Sequence, residues 1–112
     1  MFRTTETIQT KVVTYLGGLA AYVDLHDEDG AFRSFFQISG GQVFFAVQDV
    51  DDSVEDVEES CLCAFTYYPE SRFLYVHGGD RAGRRYLIDT YTNTMDRAFA
   101  DINATLKGVL NV

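Results

Sequence analysis

The sequence has no tryptophan, one proline and two cysteines in 112 residues. With 46% hydrophobic residues, it also lacks the polar composition of a disordered chain. Cys61 and Cys63 stand two positions apart, so both point to one side of a strand and are poorly placed to bridge each other. We therefore expect two buried, reduced thiols in a cytoplasmic protein.

Positive charge is scarce. Nine Lys and Arg residues oppose 17 Asp and Glu residues, which gives a net charge of −8. Affinity for nucleic acid depends on clustered cations that release counterions. The composition therefore predicts no direct binding of nucleic acid, and it favours a partner with a basic protein surface.

Long apolar runs are also missing. No stretch approaches the roughly 20 apolar residues of a membrane span, and Met1–Gln9 has no basic region that leads into an apolar run. We expect a cytoplasmic chain that makes no membrane contact. Its length predicts a single domain over 1–112.

The clearest positive signal is a helical period from Tyr86 to Leu110. Apolar residues recur there at steps of three and four, which predicts one long amphipathic helix. They are Ile88, Tyr91, Met95, Ala98, Ile102, Leu106 and Val109.

The amino-terminal part predicts a short helix followed by a hairpin. The helix would start at Thr4 or Thr5 and stop at Gly17-Gly18. Leu19–Leu25 would be the first strand, and the Asp29-Gly30 pair would turn the chain into a second strand over Ala31–Ile38.

The remaining segments complete an α+β prediction. Gln42–Gln48 is expected to be a third strand, Ser53–Ser60 a short acidic helix, and Cys61–Tyr68 and Arg72–His77 a second hairpin. The predicted order is α-β-β-β-α-β-β-α, a five-stranded antiparallel sheet with the long C-terminal helix packed on one face. A homodimer through the aromatic sheet face or the final helix is compatible with this arrangement.

Two acidic segments are the candidate binding surface. Seven of the eleven residues from Asp49 to Glu59 are acidic and none is basic, and a second cluster lies at the predicted first turn. Neither segment has calcium-loop spacing. In the first, Val54 stands where a glycine is needed, and in the second, a loop frame with Gly30 at the glycine position begins at Leu25 and ends at Phe36. The alternative is a solvated acidic helix. The predicted partner-binding residues are Asp49, Asp51, Asp52, Glu55, Asp56, Glu58, Glu59, Asp27, Glu28 and Asp29.

A dense group of carboxylates speeds association with a positive surface and can imitate the phosphates of a nucleic acid. The sequence therefore predicts a small, non-catalytic binding module or inhibitor that docks on a basic surface, such as that of a nucleic-acid-binding protein. In charge and size it looks like phage counter-defence proteins.

No metal, cofactor or catalytic site is expected. Cys61, Cys63, His26 and His77 match no compact zinc-ligand spacing. A Cys–His nucleophile needs an orienting third group that the sequence does not place.

The order of segments from Leu19 to Gly79 resembles the flavin-binding split-barrel proteins related to pyridoxamine phosphate oxidase. The resemblance is carried by Leu19-Ala20-Ala21, Asp27-Glu28-Asp29-Gly30, Arg33-Ser34, Val43-Phe44-Phe45, Ser53 and Val76-His77-Gly78.

That resemblance implies Arg33 and Ser34 as phosphate contacts. Ser53 is followed by Val54-Glu55-Asp56 where the family commonly has a basic residue, so we expect flavin binding to be lost. The alternative function is a split-barrel-like module for an anionic cofactor such as a flavin nucleotide. Its candidate residues are Arg33, Ser34, Arg81, Arg84 and Arg85.

Overall fold

A computed structural model describes residues 4–51, 61–77, 83–88 and 94–111. The elements are α1 (Thr4–His26), β1 (Phe32–Ser39), β2 (Gln42–Asp49), β3 (Cys61–Tyr68), β4 (Phe73–His77), β5 (Arg85–Leu87) and α2 (Thr94–Leu110). The predicted α+β class is confirmed, with the order α-β-β-β-β-β-α among these residues.

The five strands form one antiparallel sheet in the order β1-β2-β3-β4-β5, so every strand pairs with its neighbour in sequence. Gly40 and Gly41 join β1 to β2, and both have positive φ angles, of 59° and 75°. A tight two-residue hairpin of this kind needs positive φ at both central positions, which glycine adopts without strain. β1 and β5 are the edges of the described sheet, which does not close into a barrel.

Both helices cover the same face of the sheet. Alternate strand residues pack with the apolar stripes of α1 and α2 in one hydrophobic cluster, and Phe45 and Phe65 face each other at its centre with ring centroids 6.3 Å apart. Each large apolar side chain buried in this way contributes roughly 1.5–3 kcal/mol. The predicted packing of the C-terminal helix on one face is confirmed.

The opposite side of the sheet carries the strand residues that point away from the helices, since side chains alternate along a strand. We call this surface the open face because neither described helix covers it, although its central residues Ala46, Gln48, Ala64 and Thr66 are buried. The paired registers assign to it Arg33, Phe35, Gln37, Phe44, Ala46, Gln48, Ala64, Thr66, Tyr68, Phe73, Tyr75, His77, Arg85 and Leu87.

The predicted end of the first helix is wrong. α1 continues through Gly17 and Gly18 to His26, so Leu19–Leu25 is helical and is not a strand. The buried stripe explains the continuation, because its members recur at helical spacing on both sides of the glycines: Ile8, Val12, Leu16, Leu19 and Val23. Gly17 lies against the ring of Phe36, where an added Cβ would be 3.4 Å from Cζ.

The predicted start of the last helix is also wrong. Arg85–Leu87 forms β5, and α2 begins at Thr94. The sheet therefore still has five strands, although the predicted first strand is helical. Tyr86 pairs with Leu74 in the sheet, and the Ile88 amide donates to the Arg72 carbonyl oxygen at 2.8 Å. A short apolar run such as this fits either period, so its spacing alone could not separate strand from helix. The predicted acidic helix over 53–60 lies outside the described residues.

Tyr15 joins the two helices. Its ring stacks on Phe99 with centroids 3.9 Å apart, and its single hydroxyl proton is shared between the Phe99 carbonyl oxygen at 3.0 Å and Asn103 Oδ1 at 2.5 Å. Burial, with a smaller contribution from Tyr22, raises the pKa of Tyr15 to about 12.

The first prediction tests the continuous helix. Gly18 is exposed, and an added Cβ would meet no atom within 4 Å. Gly18→Ala should therefore raise the free energy of unfolding by roughly 0.5–1 kcal/mol, because alanine favours a helix interior. Urea unfolding measures the change. Gly30→Ala is the control and should be destabilising, because Gly30 has φ +66°; a destabilised Gly18→Ala would instead place a turn at Gly18.

The second prediction concerns pH. The folded state holds the Tyr15 proton up to about pH 12, whereas the unfolded state loses it near pH 10.0. Stability therefore falls as pH rises between these values, by about 1–2 kcal/mol once the partial exposure of Tyr15 is allowed for. Tyr15→Phe should reduce the alkaline loss by this amount, while the contributions of Cys63, Tyr67 and Tyr86 remain, and it should cost about 1 kcal/mol at neutral pH.

Chemical denaturation at a series of pH values checks this result. Tyr68→Phe is the matched control, because Tyr68 lies on the open face, and it should keep the alkaline loss. An unchanged alkaline loss in Tyr15→Phe would contradict the assignment to Tyr15.

Candidate functional site

The connection between α1 and β1 is organised by one aspartate. Asp27 Oδ1 accepts a hydrogen bond from the Ala31 amide at 2.8 Å, and Oδ2 accepts one from the Phe32 amide at 3.1 Å. The Gly30 amide donates to the Asp27 carbonyl oxygen at 3.3 Å. These bonds give the turn a defined shape and leave the side chains of Glu28 and Asp29 exposed.

The end of β2 is built in a similar way. Asp49 Oδ1 accepts a hydrogen bond from the Asp51 amide at 3.0 Å, and Asp51 is exposed. Arg33 Nη2 donates to the Val50 carbonyl oxygen at 2.8 Å. The arginine therefore fixes the backbone at the point where the strand ends.

The fold brings these two acidic segments together. Phe32 pairs with Asp49, and the Val50 amide donates to the Ala31 carbonyl oxygen at 2.8 Å. Segments about twenty positions apart in sequence thus share one end of the sheet. We call this surface the acidic end; its described members are Asp27, Glu28, Asp29, Asp49 and Asp51.

The position of α1 strengthens the negative potential there. α1 ends at His26, immediately before Asp27, so the carboxyl terminus of a 23-residue helix lies beside the acidic end. The backbone dipoles place a partial negative charge at that terminus. His26 stacks on Tyr22, and its Nδ1 lies 3.2 Å from the Tyr22 carbonyl oxygen.

Half of the predicted binding residues can be placed. Asp27 and Asp49 serve mainly as acceptors for backbone amides, whereas Glu28, Asp29 and Asp51 present their carboxylates to solvent. The predicted residues that lie outside the described ranges are Asp52, Glu55, Asp56, Glu58 and Glu59.

The residues predicted for an anionic cofactor are not brought together. Arg33 and Ser34 lie on β1, and Arg85 lies on β5 with Arg84 just before it. These strands are opposite edges of the described sheet, roughly 19 Å apart at the usual strand spacing. Arg81 lies outside the described residues.

The arginines at the β5 edge contact neighbours within the fold. Arg84 Nη1 lies 3.8 Å from Asp101 Oδ2 on α2, and the Tyr86 hydroxyl donates to the same carboxylate. Burial raises the pKa of Tyr86, and this hydrogen bond raises it further. The Arg85 guanidinium carbon lies 5.1 Å from the centroid of the Phe73 ring, a cation–π contact.

The cysteines and histidines do not converge on one site. Cys63 points into the core beneath the helices, while His77 belongs to the open face. Among the described residues, no group of three or more His, Cys, Asp or Glu side chains is placed to hold a metal ion. Within the same ranges, neither helix combines the length and apolarity needed to cross a bilayer.

A groove at the end of the open face was not predicted from the sequence. It has a volume of about 570 Å³ and lies between the Gly40-Gly41 turn and the side chains of Tyr68, Tyr75 and His77. The rings of Tyr68 and Tyr75 meet edge to face with centroids 5.5 Å apart. The alternation of aromatic residues along β4 was the available signal, but it does not show which face the helices cover.

No protein-family model, curated protein or solved structure matches this chain.

The third prediction concerns the two thiols, neither of which forms a disulfide. Burial raises the pKa of Cys63 to about 12, and the neighbouring Cys61 raises it as well. The reactive thiolate is therefore rare at Cys63 at pH 8, whereas Cys61 is only half-buried. Iodoacetamide should alkylate native Cys61 about a hundredfold faster than native Cys63.

Mass spectrometry of the single variants Cys61→Ser and Cys63→Ser separates the two rates. The Cys61→Ser chain should react quickly only in denaturant. Equal rates in the two native variants would contradict the burial of Cys63.

Proposed function

We propose that this chain is a non-catalytic protein-binding module that docks through its acidic end on a basic surface of a larger partner. The observation that carries the proposal is the joining of two acidic segments by the Ala31–Val50 hydrogen bond and the Phe32–Asp49 pair. A surface assembled from separate segments holds its carboxylates in a fixed arrangement, so the partner does not have to order them on binding.

Electrostatics support the same partner class. Three exposed carboxylates and the carboxyl terminus of α1 add to the field of a chain with net charge −8. Such a field steers and orients a positively charged partner and repels phosphate. A basic surface that otherwise holds nucleic acid fits this chemistry, and covering it would inhibit that binding. We place this action in the cytoplasm, where cysteine thiols stay reduced.

The fourth prediction compares local with total charge. The double variant Asp29→Asn/Asp51→Asn removes two charges from the acidic end. Its affinity for an immobilised lysine- and arginine-rich peptide should fall about tenfold at low salt, because close, oriented charges dominate docking. The slope of log affinity against log salt concentration should also become shallower.

The matched control is Glu70→Gln/Asp96→Asn, which removes two exposed charges elsewhere. Its affinity should stay within about twofold of wild type. Surface plasmon resonance over a salt series measures both variants. Equal losses would show that the peptide responds to net charge alone, and the acidic end would then not be the docking surface.

A further inference from the structure

β1 is an unprotected edge of the described sheet. β2 lies on one side of it, and no described strand lies on the other. Its pairing with β2 runs from Phe32 to Ser39 without a bulge, and Ser34–Ser39 contains no charged residue and no proline. Bulges, charges and prolines are the features by which edge strands avoid pairing with another chain. The opposite edge, β5, is short and has Arg84 and Arg85 at its start.

The register shows which backbone groups of β1 face outward. The Val50 amide donates to the Ala31 carbonyl oxygen at 2.8 Å, so the odd-numbered residues exchange their hydrogen bonds with β2. The residues between them direct their amide and carbonyl groups away from β2. Asp27 Oδ2 already accepts the Phe32 amide. Within the described residues, the positions that keep both outward groups for another strand are Ser34, Phe36 and Ile38.

Two apolar side chains of this edge are exposed. Phe36 and Ile38 point to the side of the sheet that the helices cover, since they pair with core residues of β2, yet they are 36% and 58% exposed. Gly17 of α1 lies against the Phe36 ring. The edge therefore presents backbone groups and apolar side chains together, which is typical of a strand that pairs with a strand of another chain.

The segment is its own complement when two copies run antiparallel. With Phe36 opposite the partner's Phe36, Ser34 lies opposite the partner's Ile38, and each outward amide meets an outward carbonyl, which gives about six hydrogen bonds. A register centred on Phe35 would instead set Ile38 opposite the partner's Phe32. The Phe32 amide is bound to Asp27, so the Ile38 carbonyl oxygen would lose its donor.

Charge favours a second copy as the occupant. Pairing about Phe36 sets Phe32 of each copy opposite the partner's Gly40, so the acidic ends lie roughly 26 Å apart along the strands, well beyond the screening length of about 8 Å at physiological salt. Two chains of net charge −8 therefore meet where neither has a carboxylate. A basic partner has no carboxylate to bind in this segment.

The helices leave room for this arrangement. α1 contacts both β1 and β2, so its axis lies between them. At the usual strand spacing, joining two β1 strands sets the two α1 helices roughly 10 Å apart, which is an ordinary distance for packed helices. Gly17, beside Phe36, lies close to the point of symmetry and has no side chain to hold the helices apart.

We propose that the chain forms a homodimer by antiparallel pairing of β1 with β1, about a twofold axis that passes through the sheet at Phe36. The two sheets join into one continuous sheet, the two α1 helices pack side by side on it, and β5 is left at both outer edges. The contact is reciprocal and closed, as twofold symmetry requires.

Sedimentation equilibrium of the full chain tests the dimer. The wild type should sediment with twice the 12.6 kDa chain mass at micromolar concentration. Ile38→Pro removes an outward amide and keeps the hydrogen bonds between β1 and β2, so it should fold and raise the dissociation constant at least about tenfold. The matched control Ile38→Thr keeps the amide and a β-branched side chain, and it should change the constant less than about threefold.

Circular dichroism checks that both variants are folded. A wild type that stays monomeric at all concentrations, or that assembles beyond a dimer, would overturn the proposal. So would a folded Ile38→Pro chain that dimerises as tightly as the wild type. Equal losses in Ile38→Pro and Ile38→Thr would overturn it as well, because they would show that the backbone amide takes no part in the contact.

Crosslinking tests the register without a proline variant. Chains with Ser34→Cys are mixed with chains with Ile38→Cys, both on a Cys61→Ser background, and oxidised gently. Opposite residues of the proposed pair have Cα atoms about 5.5 Å apart, which a disulfide spans. The mixed disulfide dimer should therefore form in preference to either symmetric one. Preferential self-crosslinking of the Ile38→Cys chain would overturn the proposed pairing.

Discussion

Burial of one sheet face beneath two touching helices is the constraint on which the rest of this structure depends. Phe45 and Phe65 lie under the stripes of α1 and α2, and Tyr15 ties the helices to each other through Phe99 and Asn103. Because both helices take the same side, the sheet keeps a second face with aromatic side chains. The centre of that second face is itself buried at Ala46, Gln48, Ala64 and Thr66, and its exposed apolar side chains, Tyr68 and Leu87, lie towards the β5 edge.

The length of α1 determines where charge collects. A helix that ended at Gly17 would leave its carboxyl terminus along the sheet, whereas the observed helix reaches His26 and delivers Asp27 to the end of β2. The hydrogen bonds of Asp27 and the Ala31–Val50 bond then hold both acidic segments in one place. Core packing and surface charge are linked through this single helix, so a change at Gly17 or Gly18 bears on both.

Much of the sheet could be predicted because its strands carry clear alternation and glycine turns. β2 and β3 were located to within one residue, and the α2 stripe from Met95 to Leu110 was found by its period. The wrong predictions lie in segments whose apolar residues fit both the helical period and the strand period. Leu19–Leu25 is apolar enough for a strand, and only the spacing of Leu19 and Val23 with Leu16 shows the helix.

The site was partly predictable for a related reason. Charge runs are visible in the sequence, so the two acidic segments could be identified. Their proximity depends on the pairing register of β1 and β2, which cannot be read from either segment alone. Arg33 and Arg85 show the reverse case: both were assigned to one anion site, and the register places them at opposite edges. An aromatic sheet face was expected, but which strand residues form it could not be predicted, because the choice of helix-covered face is a property of the whole fold.

An NMR titration tests most directly the proposal that the acidic end is the contact surface. A lysine- and arginine-rich peptide is added to ¹⁵N-labelled protein, and amide shifts are followed residue by residue. If the acidic end binds the peptide, the largest changes fall in 27–31 and 49–51, with small changes along β4 and β5. Changes concentrated on the open face, or spread evenly over all exposed carboxylates, would contradict it.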